Sequence, residues 1–261
     1  MKSFNFKSAT NTKEAAKLAT GRATFLAGGM TTIPSMKLGL ASYKDIIDIK
    51  NIKKLSGINV TGKTVKIGAT TKHVEVANSK DIKKAIPSLS SLAEGIGDPQ
   101  VRNRGTIGGS IANNDPSADY PSACIALNAV IHTTERKIEA SKFFKGMFET
   151  ALKKGELIES IEFEIPEKSS YQKYPNPASR YAVVGVYVAK HKSGVNVAVT
   201  GAKPCVYNDK DLAKALQSSF SSNSISGIEV SSSDMNSDIH ASAEYRASLV
   251  VTQAKKAVEA C

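Results

Sequence analysis

The sequence has no tryptophan, only three cysteines, and 6% aromatic residues. Cys124, Cys205 and Cys261 are far apart and form no C-x-x-C pair, which argues against a disulfide framework and against zinc. An iron–sulfur cluster needs about four thiolates, so this chain cannot hold one by itself. His73, His132, His191 and His240 are equally scattered, and no metal site is expected. No apolar run approaches the roughly 20 residues that cross a bilayer. The opening Met1-Lys2-Ser3-Phe4-Asn5-Phe6 lacks the apolar segment of a signal peptide. The expectation is a cytoplasmic protein with no membrane span.

Other absences are chemical. No Ser-His-Asp, Cys-His or paired-carboxylate constellation stands out, so no catalytic residue is assigned. The formal net charge is +11, but the lysines are spread in ones and twos, as at Lys53-Lys54, Lys83-Lys84, Lys153-Lys154 and Lys255-Lys256. There is no arginine-rich block and no interleaving of basic and aromatic residues of the kind that stacks bases. Nucleic acid is therefore not an expected partner. Solvated faces explain the charge, with a basic docking surface for an acidic subunit as the sharper alternative.

What is present is an ordinary globular composition, 41% hydrophobic and 23% charged over 261 residues, enough for one large domain or two or three lobes. Strands are expected at 3–6, 24–27 and 45–49, with helices at 13–20 and from about Thr32, where Pro34 suits an early helical position. Beyond Asn51, strands are expected at 64–68, 130–134 and 160–165, and helices at 72–78 and 87–95. The stretch 166–177, rich in proline, serine and lysine, reads as a connection. It is followed by a hairpin-like pair at 182–190 and 194–202, a helix at 212–220, a short strand at 227–230 and a helix at 242–260.

Two glycine runs carry the chemistry: Ala27-Gly28-Gly29-Met30-Thr31 and Thr106-Ile107-Gly108-Gly109-Ser110. Each follows a short apolar or β-branched segment. Glycine has no Cβ, so successive main-chain N–H groups can close on an anion without any positive side chain. A Gly-Gly pair alone is more often a turn; two such runs suggest one extended ligand held at its middle.

With their flanks, Ile33-Pro34-Ser35-Met36-Lys37 after the first and Gly97-Asp98-Pro99-Gln100-Val101-Arg102-Asn103-Arg104-Gly105 before the second, the runs resemble the FAD-binding medium subunit of the molybdenum hydroxylases. That is the family of carbon monoxide dehydrogenase and xanthine dehydrogenase. The similarity runs from about Phe4 to Ala243-Glu244-Tyr245-Arg246-Ala247-Ser248-Leu249. It implies an α+β fold: a two-lobed FAD-binding domain of the vanillyl-alcohol-oxidase-like (PCMH) type at 1–168, with lobes at about 1–52 and 53–168. A C-terminal domain of antiparallel sheet and helices follows at 169–261.

The resemblance also implies the function. The chain would be the flavoprotein subunit of a heterotrimeric oxidoreductase, passing electrons from an iron–sulfur small subunit through FAD to an external acceptor. The substrate would be oxidised on a molybdopterin-bearing large subunit, in a dimer of heterotrimers. Carried over by position, Ala27, Gly28, Gly29, Met30 and Thr31 form the first diphosphate loop, and Thr106, Ile107, Gly108, Gly109 and Ser110 the second. Met30 departs from the family's usual polar residue and offers only its main-chain N–H. Asn113 and Asp119 match positions that bond the ribityl, ribose or diphosphate part, although Asn113-Asn114-Asp115-Pro116 read alone is an Asx-type turn. Ile158 matches an apolar residue against the flavin ring, or is a buried strand residue. Lys173 and Tyr181 match positions that close over the isoalloxazine, where a lysine would favour the anionic reduced form and a tyrosine would control solvent access. The alternatives are a stand-alone FAD-dependent oxidoreductase, which would need its own acid or base beside the flavin, and a cofactor-poor assembly subunit.

Overall fold

The computed structural model describes residues 1–261, which form three main sheets, with helices packed between and upon them, and a small two-stranded sheet of Phe144–Gly146 and Glu149–Thr150. The first is a parallel sheet in which Asp45–Asp48 lies between Asn5–Ser8 and Ala23–Leu26. Parallel neighbours need crossovers, and the short helices Thr12–Leu18 and Thr32–Lys37 supply them. Asn11 caps the first helix by accepting from the Glu14 N–H. The central strand is buried at all four positions. Ile47 packs with Ala9, Ala15, Ile49, Ile52 and Leu55, and this small core also takes in Leu157 from far along the chain.

The second sheet is antiparallel, in the order Ile58–Val60, Thr64–Gly68, Ile158–Glu164, Val130–Thr133, Lys137–Glu139. Thr64–Gly68 alternates between buried and half-buried residues, as a one-sided strand should. Helices drawn from residues 73–126 cover it and complete a core that includes Val65, Ile67, Leu89, Ile107, Ile131, Phe143 and Phe163.

The third sheet, also antiparallel, runs Lys168–Pro175, Ala182–His191, Gly194–Thr200, Tyr207–Asn208. Nearly every residue of Ala182–His191 is buried, because both of its faces are covered. Val184, Val186 and Val188 pack under the helices Lys210–Ser218 and Ala243–Glu259. On the opposite face, Tyr187 and Ala189 join the core of the second sheet, where the Tyr187 hydroxyl lies 2.6 Å from Ser88 Oγ.

Three local expectations are corrected. The stretch 166–177 is not a connection: Lys168–Pro175 is an edge strand paired along its length with Ala182–His191, its polar side chains masking a ladder that the main chain makes. The second glycine run is not a loop. Thr106 caps a helix, Ile107–Asn113, that contains Ile107, Gly108, Gly109 and Ser110 in its first turn. No strand forms at 227–230; the nearest regular element is the 3-10 turn Ser222–Ile225.

Arg246, buried on helix Ala243–Glu259, ties that helix to the sheet. Its Nη1 donates to the carbonyls of Val183 (2.6 Å) and Gly201 (3.1 Å), and Nη2 donates to Asp238 Oδ2 (2.7 Å). Arg246→Leu takes the guanidinium away from the Val183 carbonyl and from Asp238, and leaves the Gly201 carbonyl with Asn236 Nδ2 (3.1 Å) as its remaining side-chain donor; it should lower the free energy of unfolding by about 3 kcal/mol in chemical denaturation. A loss below about 1 kcal/mol would show that the network does not hold the helix.

Candidate functional site

A cavity of ≈ 530 Å³ opens where the first sheet, the second glycine run and the start of the third sheet meet, a volume in the range of small-molecule sites. Strand Ala23–Leu26 delivers the first run at its carboxyl end, the usual place for ligands in parallel sheets. The main-chain N–H groups of Ala27, Gly28, Gly29, Met30 and Thr31 have no internal acceptor, and all five residues line the cavity. Five successive main-chain donors without an acceptor on a cavity wall are the donor set that an anion nest requires.

The second run is built differently. The Ile107 N–H donates to Thr71 O (3.1 Å), Gly108 N–H to Ala69 O (2.9 Å) and Ser110 N–H to Thr106 O (3.0 Å), while Gly109 N–H donates to Thr106 Oγ1 (3.2 Å). The expectation of a second main-chain nest is therefore corrected: these four amides are already engaged. Gly108 is small for packing, since a Cβ there would lie 2.5 Å from the Ala69 Cβ and 2.7 Å from its carbonyl oxygen. What this side presents to the cavity is Thr106, Gly108, Gly109, Ser110 and Asn113, with the Ser110 hydroxyl and the Asn113 amide as its polar side chains.

Gly28 brings the two sides together. A Cβ on it would run into the carbonyl oxygen of Arg104 and lie 2.9 Å from the Gly105 Cα. Gly105 in turn presses on the His73 ring, whose Nε2 a Cβ would meet at 2.5 Å. Gly28, Gly105 and His73 thus form three layers within the cavity wall.

Asp119 lies on the cavity wall and is almost fully buried. Its Oδ1 accepts from the Tyr171 hydroxyl and sits 3.0 Å from Lys173 Nζ. Burial raises its pKa, against the pull of Lys173 and Tyr171 in the other direction. Lys173 also donates to the carbonyls of Gly95 and Arg180, each at 2.9 Å, so its ammonium group has three partners. It does not line the cavity, and the expectation that it closes over a ring there is corrected: it braces Asp119 and the 176–181 segment from behind. Tyr181 does line the cavity, half-exposed at its mouth.

Ile158 lines the cavity next to a β-bulge between Ile158 and Ser160, a device common beside functional sites. Ile107 does not. Its side chain is wholly buried in the second core and its N–H is taken. Of the fifteen residues proposed from sequence, then, all but Ile107 and Lys173 line one cavity.

Sequence reasoning missed His73, Phe25, Tyr43, Gly97, Glu156 and Arg180, all of which also line it. A lone histidine or glutamate has no periodicity to betray it. Glu156 is tightly held. Burial pushes its carboxyl up, but hydrogen bonds from Arg136, Thr133 and the Lys153 N–H outweigh this and leave it below the ordinary carboxylate value.

Residues 2–167 match the family described as "FAD binding domain in molybdopterin dehydrogenase". The chain is 37% identical over 194 residues to the glyceraldehyde dehydrogenase medium chain of Sulfolobus acidocaldarius, covering 71% of this chain and 69% of that one. It is 31% identical over 256 residues to the carbon monoxide dehydrogenase medium chain of Hydrogenophaga pseudoflava, covering 91% and 88%. A solved structure of carbon monoxide dehydrogenase from Hydrogenophaga pseudoflava, lacking the Mo-pyranopterin moiety, superposes with a TM-score of 0.89 at 30% identity, over 99% of this chain and 97% of that one.

His73 generates a pH prediction. Burial, and after it the charge of Arg102, pushes its pKa down to about 4. The unfolded chain binds a proton below about 6.5 that the folded chain refuses, so stability should fall as pH drops from about 6.5 to about 4, by up to about 3 kcal/mol. Chemical denaturation at stepped pH should show this slope and its flattening in His73→Gln. An equal slope in both proteins would contradict the assignment.

Proposed function

The chain belongs to the family of FAD-binding domains of the molybdopterin dehydrogenases, and from that membership we propose that its cavity holds FAD with the diphosphate on the first glycine run. The observation that carries this is the row of five unpartnered N–H groups from Ala27 to Thr31 on the cavity wall. Hydrogen bonds to a charged group contribute about 1.5–3 kcal/mol each, and here no protein acceptor must first be displaced. Met30 contributes its main-chain N–H to this row, while its side chain offers the diphosphate no donor.

The remaining roles follow from the chemistry of each side chain. The Ser110 hydroxyl and Asn113 amide, which can each donate and accept, meet the diphosphate or the adjoining sugar from the opposite side. Asp119, an acceptor facing the cavity, takes the hydroxyls of the ribityl or ribose part, and Lys173 and Tyr171 keep its carboxylate oriented. Ile158 and Tyr181 provide the apolar and aromatic surfaces for the flavin ring. When bound, FAD supplies chemistry that no side chain here offers: it accepts electrons one at a time and releases them singly or as a pair. The protein binds, orients and shields it.

The chain is an oxidoreductase subunit of the molybdenum hydroxylase type, a medium subunit of a multi-subunit enzyme. We propose that it pairs with an iron–sulfur small subunit and a molybdopterin large subunit, in a dimer of heterotrimers. Three scattered cysteines leave any cluster to another chain, and the net charge of +11 suits an acidic partner. The proposed units are 1–168, in lobes 1–52 and 53–168, and 169–261. The proposed compartment is the cytoplasm; no helix is long and apolar enough to cross a membrane.

The purified chain with added FAD should show the two visible flavin bands, and heating should release FAD rather than FMN. A colourless protein that refuses FAD would overturn the proposal. Gly28→Ala forces the Arg104–Gly105 backbone away from the first run and should weaken FAD binding at least about tenfold, a cost of about 1.4 kcal/mol, read by flavin fluorescence titration.

A further inference from the structure

The segment 151–158 joins the two lobes. Leu157 is buried in the core of the first sheet and its neighbour Ile158 in the core of the second. Leu152, Glu156, Leu157 and Ile158 line the cavity between them. Whatever holds this segment sets how the two walls face each other.

The holding group is the Glu156 carboxylate, whose side chain has no exposed surface. Its Oε1 accepts from Thr133 Oγ1 (2.6 Å) and Arg136 Nε (3.1 Å), and its Oε2 accepts from Arg136 Nη2 (3.1 Å) and the Lys153 N–H (2.8 Å). Arg136 Nη2 also donates to the Ala151 carbonyl (2.6 Å). A two-pronged guanidinium–carboxylate pair is directional as well as strong. This one anchors both ends of the 151–156 loop to the turn that follows strand Val130–Thr133. Beside it, the Leu157 N–H donates to Thr134 Oγ1 (3.2 Å) and the Thr134 N–H to the Leu157 carbonyl (2.9 Å).

We infer that Arg136 and Glu156 are positioning residues for the cofactor: their pair fixes the register between the two lobes, and so the width of the cleft that takes FAD. The inference rests on the FAD reading of the cavity, and neither residue needs to touch the ligand. An exposed ion pair nearby, Lys54 Nζ to Glu159 Oε1 at 2.8 Å, lacks the fork and the burial and serves as the control.

The test uses the full chain. Arg136→Gln and Glu156→Gln should raise the FAD dissociation constant at least tenfold. Arg136→Lys, which keeps the charge but not the fork, should fall between these variants and the parent, and Lys54→Gln should stay within twofold. Hydrogen exchange on the FAD-free proteins gives a second readout. The Lys153 and Leu157 amides should exchange at least tenfold faster in Arg136→Gln, while those of strands Asp45–Asp48 and Thr64–Gly68 keep their rates. Unchanged affinity with unchanged exchange overturns the inference. Acceleration spread equally over both core strands also overturns it, because the pair would then be a general stability element. If the parent chain itself takes up no FAD, the functional reading fails instead, and the exchange data alone decide whether the pair ties the lobes.

Discussion

The main chain at Gly28 rests against the main chain at Arg104 and Gly105, and no side-chain atom fits between them. That contact brings a loop from a parallel sheet within reach of a helix that belongs to an antiparallel one. Without it, the five free amides of the first run would face solvent, where water satisfies them and an anion has little advantage. With it, they share one cavity with Ser110, Asn113 and Asp119, where an anion can meet several donors at once. The glycines that look alike in sequence divide the work: Gly28 and Gly108 allow backbones to approach, while the amides around Gly28 remain free for a ligand.

The opposite wall is braced from a distance. Asp119 is held by Tyr171 and Lys173, both on the edge strand of the third sheet, and Lys173 reaches on to Gly95 and Arg180. That sheet is itself pinned to the second core through Tyr187 and Ser88. A polar residue on the cavity therefore depends on strand pairing more than 50 residues away along the chain, so the third sheet is part of the site although its helices lie on the far face.

Much of this was legible in the sequence where local pattern and structure share a period. Strands 23–26, 45–48 and 64–68, the helix at 87–94 and the final long helix follow from apolar spacing and turn residues. The two glycine runs and their flanks pointed to one cavity through family resemblance. What could not be read were facts about partners remote in sequence. The amides of 107–110 look free until Ala69 and Thr71 are folded against them. Lys173 looks like a residue for a ring until three oxygens surround it. Arg136 and Glu156, 20 residues apart, have no motif at all, and the strand at 168–175 was hidden by side chains that do not announce a ladder.

The placement of Leu157 has a consequence for biosynthesis. The small hydrophobic core around Ile47 is sealed by Leu157, a residue that leaves the ribosome long after it, and Thr64–Gly68 likewise waits for its distant partner Ile158–Glu164. Such delayed, non-local closure slows folding and leaves apolar surface uncovered while translation proceeds. The amino-terminal half of the nascent polypeptide therefore keeps part of its core open until Leu157 emerges, and the cavity wall is complete only once Tyr181 has been added.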